Sequence, residues 1–321
     1  NIHRFIWLYV STLLIVIIYT IVRHAQHGWT QKAAHWVMIP FYNDHTAYAA
    51  VIAIFIPIFL LYSTEWNTNL RNRSLSIVVF VTLVTAIILS YTRAAWLSLA
   101  VAVGVYFIFK LRIRFYTVAV IGITVLTLFL TFRTDIMIYL ERNDQDSATD
   151  INKHLQSIFN ISTDASNLER INRWNSAFRM FEQKPFLGWG PGTYQFNYAP
   201  FQKSSEMTII STNAGDMGNA HSEYIGPLAE QGVLGMLAMI LIVVSLIYTA
   251  TVLYSTSQNQ HLKVLTLAIL LGLITYFTHG VLNNFLDTDK LAVPVWSFIA
   301  IIVALDVYHR DEKPENKKLK H

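Results

Sequence analysis

Cysteine is absent from the 321 residues, which excludes disulfides and thiolate metal ligands while leaving the compartment open. Charge is scarce as well. Lys, Arg, Asp and Glu make up 14% of the chain against 54% hydrophobic residues, well below the roughly 25% charged share of an ordinary soluble domain. A single soluble domain is therefore excluded. No segment repeats at the period of about 20–50 residues that marks solenoids, and neither a P-loop nor a dinucleotide fingerprint occurs. The chain opens on Asn1, with no charged n-region or small-residue cleavage site before its first apolar run; this is the expected look of the C-terminal part of a longer protein.

What the chain does have is long apolar runs, and its mean hydropathy is positive. Phe5–Val22, Thr46–Tyr62, Leu75–Tyr91, Ala94–Phe109, Phe115–Phe132, Val233–Tyr254, Val264–Leu286 and Leu291–Tyr308 each reach the length that a ~30 Å hydrocarbon core requires. The expected fold is an all-α polytopic membrane protein of about eight transmembrane helices. Arg4, Arg71, Arg73, Lys110, Arg112, Arg114, Lys263 and the basic tail from Arg310 fall on one side of an eight-span alternation, which is expected to be cytoplasmic. The expected organisation is residues 1–133 as five spans, 134–220 as one large outer loop with short helices, 221–308 as an interfacial helix and three spans, and 309–321 as a cytoplasmic tail. The formal net charge of +4 is explained by the tail and inner loops meeting anionic lipid, so no nucleic-acid partner is expected.

Arg93, in Ser90-Tyr91-Thr92-Arg93, is a permanent charge between two apolar runs. At bilayer depth an arginine costs roughly 2.5–3.5 kcal/mol unless it faces protein, water or an anion, which marks it as a candidate working residue. Residues 134 to about 166 turn polar and acidic and read as a solvated loop; Asn143-Asp144-Gln145-Asp146 lacks the glycine and terminal glutamate of a calcium loop. Beyond it, Leu168, Ile171, Trp174, Phe178 and Phe181 recur at helical spacing after a capping box, Ser166-Asn167-Leu168-Glu169. Arg170 and Arg173 lie on the polar flank of that helix. They are either solvated there or joined by an anion, since like charges three residues apart repel by a few tenths of a kcal/mol.

Pro185 to Tyr194 is a glycine- and proline-rich bend with Trp189 and Tyr194, placed at the membrane surface, where aromatic rings also stack on sugars. Ala220-His221-Ser222-Glu223-Tyr224 and Glu230-Gln231-Gly232 then lead into the sixth run, with His221 at the depth expected for Arg93. His279, Asn283, Asn284 and Asp287 recur at about helical spacing near the outer end of the seventh run; they line a cavity or serve as interhelical hydrogen bonds. The histidines of the first outer loop, His24, His27, His35 and His45, match no zinc spacing.

These pieces together resemble the O-antigen ligase superfamily of O-antigen ligases, O-antigen polymerases and protein O-oligosaccharyltransferases. The resemblance rests on Ser90-Tyr91-Thr92-Arg93, on Glu169-Arg170 with Trp174 and Ala177, on Pro185 with Gly188-Trp189-Gly190-Pro191-Gly192, and on Ala220 to Tyr224 with Glu230 to Gly235. It implies a multi-pass enzyme of the bacterial inner membrane whose site faces the periplasm and whose large loop is periplasmic. The implied reaction needs no cofactor or metal. A glycan passes from undecaprenyl diphosphate to an acceptor hydroxyl, that of lipid A-core in a ligase. The family's catalytic arginines and histidine map onto Arg93, Arg170 and His221. Its usual His-Asn is His221-Ser222 here.

On that resemblance Arg93 and Arg170 meet the diphosphate, because guanidinium forks pair bidentately with phosphate oxygens and stay ionised, and His221 is the general base. Arg173, Glu223, Glu230, Trp189, Tyr194, His279 and Asp287 are candidate substrate-binding residues, with Glu223 or Glu230 as a possible orienting partner for the imidazole. A polymerase or oligosaccharyltransferase shares the donor and differs in acceptor. A lipid-linked sugar transporter would be expected to show internal repeats or paired broken helices, and a receptor would use the loop as a binding module.

Overall fold

The computed structural model describes residues 1–66, 69–113, 165–212 and 218–309, with a few scattered positions from 116 to 127. Regular structure among these residues is entirely helical. The chain divides into two compact units, Asn1–Gly104 with Leu237–His321, and Val105–Met236.

The first unit contains α1 (Ile2–Gln26), the short α2 (Gln31–Ala34), α3 (His45–Thr64), α4 (Leu70–Leu89) and the start of α5 (Arg93–Lys110). It also contains α9 (Gln260–His279), α10 (Asp289–His309) and the C-terminal part of α8 (Ile225–Thr256). With α6 (Ala165–Gln183) and α7 (Tyr194–Asn197) in the second unit, seven helices among the described residues are long and apolar enough to cross a membrane. They are α1, α3, α4, α5, α8, α9 and α10. The expected span Phe115–Phe132, the acidic stretch 134–164 and the tail from Arg310 lie outside the described residues.

The helices of the first unit do not share burial evenly. α3 and α9 are buried on nearly every side, as a helix surrounded by others must be. They pack on each other at Gly272, where an added Cβ would stand 2.5 Å from the carbonyl oxygen of Ile54. α1 buries only one stripe, Ile6, Val10, Leu13, Ile17, Thr20 and His24, at the three- and four-residue steps of a helix face. α5 turns Ala95, Ser98 and Ala102 inward, the small side chains that let helix backbones approach in lipid. An aromatic seam joins α1, α3 and α10: Tyr9 stacks on Phe55 at 5.0 Å, and Phe298 meets Phe55 at 5.7 Å and Phe5 at 5.9 Å.

One boundary differs from expectation. The seventh span was expected to run to Leu286, but α9 ends at His279, and Gly280 donates back to the carbonyl of Tyr276. Because α9 begins at Gln260, capped by Asn259, its 20 residues already supply about 30 Å. Asn283, Asn284 and Asp287 therefore sit in a turn between α9 and α10, as Asn- and Asp-rich sequence favours, and share no helical face with His279. In α8, where an interfacial helix was expected to precede a span beginning at Val233, Gly232 adopts φ 67° and ψ −163° and separates residues 225–231 from the apolar stretch that follows.

Gly272→Leu should abolish the α3–α9 contact and lower the yield of monodisperse protein in fluorescence-detected size-exclusion chromatography. The expected cost is at least about 1–3 kcal/mol, as for overpacking, whereas Gly104→Leu, which would meet nothing within 4 Å, should be tolerated.

Candidate active site

In the first unit the candidate residue is Arg93. Three residues, Ser90 to Thr92, turn the chain from α4 into α5, and Arg93 is the first residue of α5. Buried Thr92 donates its hydroxyl to the carbonyls of Ser90 and His45, and Tyr91 donates to the carbonyl of Trp29. Tyr91 takes φ 52° to make the turn, a conformation that a bulky residue adopts only where its surroundings hold it there. Arg93 is thereby left half-buried at a helix N-terminus, where its guanidinium adds to the partial positive charge of the helix dipole. His279 is 1% exposed, at the end of α9. Burial pushes the Asp287 carboxyl up, partly opposed by a backbone hydrogen bond.

The second unit is organised around α6, and the face it buries is not the apolar stripe. Its buried residues are Glu169, Asn172, Arg173, Ser176, Ala177 and Met180, whereas Leu168 and Phe178 are exposed. Ser166 lies inside the helix rather than at its cap, and Glu169, instead of closing a capping box, holds Arg173. Glu169 Oε1 accepts from Arg173 Nε at 2.7 Å, and Oε2 accepts from Thr208 at 2.9 Å and from Ser211. Burial alone pushes the Glu169 carboxyl up; hydrogen bonds from Ser211, Arg173 and Thr208 with the Arg173 charge outweigh it and leave the group below its ordinary range.

Arg173 connects this pair to His221. Its guanidinium lies 5.0 Å over the Tyr198 ring and Nη1 donates to the Asn219 carbonyl at 3.4 Å, while Asn219 Oδ1 accepts the His221 backbone N–H at 3.1 Å. Gly218 is needed for this approach, because a Cβ there would stand 2.5 Å from Arg173 Nη1. The backbone of His221 takes φ 46°, and the half-exposed imidazole follows directly on a buried strut. Arg173, expected at the substrate, is thus committed to the frame, and its anion is an internal carboxylate. Arg170, on the same helix, remains half-exposed.

Other expected substrate residues also make contacts within the protein. Tyr194 is 2% exposed, stacks on Tyr198 at 5.1 Å and donates its hydroxyl to the Arg173 carbonyl, so its ring has no face left for a sugar. Trp189 donates Nε1 to the Met180 carbonyl, with Lys184 Nζ 3.9 Å from its ring centre. The two Glu230 carboxylate oxygens accept the N–H groups of Gly192 and Tyr194, each at 2.9 Å; Glu230 fastens the glycine-rich bend rather than orienting His221. Glu223 is 8% exposed beside Tyr224, whose hydroxyl burial, with the Glu223 charge adding to it, pushes up to about 12. Ser222 Oγ accepts from the N–H groups of Tyr224 and Ile225, capping α8. Serine and asparagine are both strong caps, which gives the His-Ser pair a physical equivalence to His-Asn. Among the described residues no group of three His, Asp or Glu is placed to hold a metal.

A multi-pass helical membrane protein, with a polar helical unit between its spans that presents a strained histidine and an arginine at its surface, is the class that fold and site define. Family comparison narrows it. The O-antigen ligase family model matches residues 78–240, and the chain belongs to that family. It is also 26% identical over 219 residues to an uncharacterized protein of Haemophilus influenzae, an alignment covering 62% of this chain and 49% of that protein. The chain spans about half the length of the curated relative it matches. Arg93, Arg170 and His221 all fall within the family match.

Two outcomes follow from the frame. Ser222→Asn should leave thermal stability unchanged, whereas Ser222→Ala should cost about 1 kcal/mol, read from tryptophan-fluorescence melting of the purified protein. Glu169 is held below its unfolded value, so its contribution is complete above pH 4.5 and is lost as pH falls through its folded value. The stability margin of wild type over Glu169→Gln should therefore be constant from pH 8 to 5 (a range of roughly three units) and shrink on further acidification; a margin that grows in acid would contradict the assignment.

Proposed function

We propose that the chain is the membrane-embedded catalytic part of a glycosyltransferase of O-antigen ligase type. In this reading it transfers a glycan from undecaprenyl diphosphate to an acceptor hydroxyl of lipid A-core at the periplasmic face of the bacterial inner membrane. The observation that carries the reading is His221: a half-exposed imidazole on a left-handed backbone, tied through Asn219 to the buried Glu169–Arg173 pair, inside the family match. Strain of this kind costs of order 1–3 kcal/mol and persists where a side chain must be aimed.

The chemistry assigned to these residues balances without a further reactant. The acceptor oxygen attacks the anomeric carbon as the bond from that carbon to the phosphate oxygen breaks, and the acceptor proton passes to His221. An imidazole with a reference pKa near 6.5 accepts it at neutral pH. The electron pair leaves with the lipid diphosphate, whose growing negative charge is met by Arg93 and Arg170. Both are permanently charged, and fixed positive charge aimed at a leaving group lowers a barrier without reorganisation at the moment of reaction. A single displacement inverts the anomeric centre.

The test is glycan transfer in cells lacking the gene, complemented with wild type, His221→Ala, Arg93→Ala, Arg93→Lys or Arg170→Ala at matched protein levels. Loss of the base is expected to lower transfer by about 10²–10⁴-fold, and Arg93→Lys to be impaired because an ammonium cannot fork onto phosphate. Normal transfer by His221→Ala would overturn the base assignment. Glycan appearing on protein or on growing polymer rather than on lipid A-core would reassign the acceptor, and movement of donor across the bilayer without transfer would replace the reaction by transport.

A further inference from the structure

Phe186 and Leu187 are 72% and 76% exposed, side by side at the tip of the turn after α6. This turn is bolted to the break in α8 by three backbone hydrogen bonds and closed by a fourth of its own. Trp189 N–H donates to the Ala229 carbonyl at 3.2 Å and Gly190 N–H to the Glu230 carbonyl at 2.7 Å, which satisfies acceptors that the break at Gly232 releases. The Pro185 carbonyl accepts the Val233 N–H at 2.8 Å, and Gly188 N–H closes the turn onto the Lys184 carbonyl at 3.1 Å. Packing is too close for any side chain at two points: a Cβ on Gly232 would stand 2.3 Å from the Phe186 carbonyl oxygen, and one on Gly188 2.3 Å from the Glu230 carbonyl carbon.

Val233 opens the apolar stretch of α8 that crosses the membrane, and Leu234 beside it is 58% exposed, as a lipid-facing residue is. The tip is therefore held at the depth of the first turn of a span. Two adjacent large apolar side chains fixed there, with exposed Lys184 two residues before them and its ammonium over the Trp189 ring, match the chemistry of a lipid headgroup layer: acyl chain below, phosphate above.

We infer that Phe186 and Leu187 form a wedge that inserts into the bilayer interface at the Val233 end of α8, with Lys184 meeting lipid phosphate. The occupant of this surface is lipid. The wedge ties the polar unit that carries His221 to the membrane surface through the same turn that completes the broken helix, and it stands whether or not the chain transfers glycan.

The cysteine-free sequence permits a direct depth measurement. Phe186→Cys, Leu187→Cys, Leu234→Cys and Ser205→Cys are each spin-labelled in the full chain, reconstituted in phosphatidylcholine–phosphatidylglycerol vesicles and probed with oxygen and with a water-soluble nickel complex. Variants that elute as wild type on size exclusion are compared. Labels at 186 and 187 should favour oxygen over nickel severalfold more than the label at exposed Ser205 and approach the ratio at Leu234. Nickel access equal to that at Ser205 would overturn the proposal by placing the tip in water. Protection from both reagents would overturn it by placing protein, a second copy included, over the tip. Either position alone suffices, so a misfolded Phe186→Cys leaves Leu187→Cys to decide.

Discussion

A carboxylate and a guanidinium removed from water together govern the polar unit. Glu169 and Arg173 are each nearly buried, and two desolvated charges are tolerated only when each saturates the other and its remaining hydrogen-bonding capacity. Glu169 therefore collects Thr208 and Ser211 as well as Arg173, drawing the segment after the 3₁₀ turn Ala199–Phe201 onto α6. Arg173 in turn lies over Tyr198 and reaches Asn219. Removing either partner would strand a charge in a low-dielectric setting, so the pair fixes where the His221 segment can lie. The same requirement reverses α6: its polar flank faces inward because the ions need each other, and Leu168 and Phe178 are left outside.

For the spans the governing constraint is different. Every backbone polar group within a bilayer must be satisfied inside the protein, so a helix that stops short must be completed by something. α8 stops at Gly232, and the carbonyls and N–H group it releases are met by the turn from Pro185 to Gly190. Conversely, Arg93 sits where a helix begins, at the three-residue turn from α4. Both of the motifs that resembled a known family, around Tyr91 and His221, contain a non-glycine residue in the left-handed region. Such strain is invisible in a sequence because it is imposed by neighbours: the Trp29 carbonyl on Tyr91, and Asn219 on His221.

The sequence offered candidate positions more readily than it offered their roles. Arg93 and His221 stood out as candidates because a charge between apolar runs and a histidine at a helix entrance are uncommon, and Arg170 joined them through the family resemblance. Arg173, Tyr194, Trp189 and Glu230 carried the same residue types in equally suggestive places, yet their polar atoms serve the protein itself. Residue type reports what a side chain can bind, and only the neighbouring atoms report what it has already bound. Glu169 was the missed signal: an acid four residues before Arg173 is the spacing of a helical ion pair, and it offered an internal anion before an external one was needed.

The sequence by itself determined that the chain spans a membrane as helices, since runs of apolar residues with so little charge have no other stable state in lipid or water. The tertiary structure alone decided which face of each helix is buried. Along Leu13–Tyr19 of α1 every side chain is apolar, and as little in the pattern distinguishes Val10, which is buried, from Ile18, which is exposed; in a membrane, lipid and protein interior are equally apolar, and packing geometry rather than hydrophobicity makes the choice. Along α6 the pattern pointed the wrong way, because an ion pair that must leave water outweighed the apolar stripe.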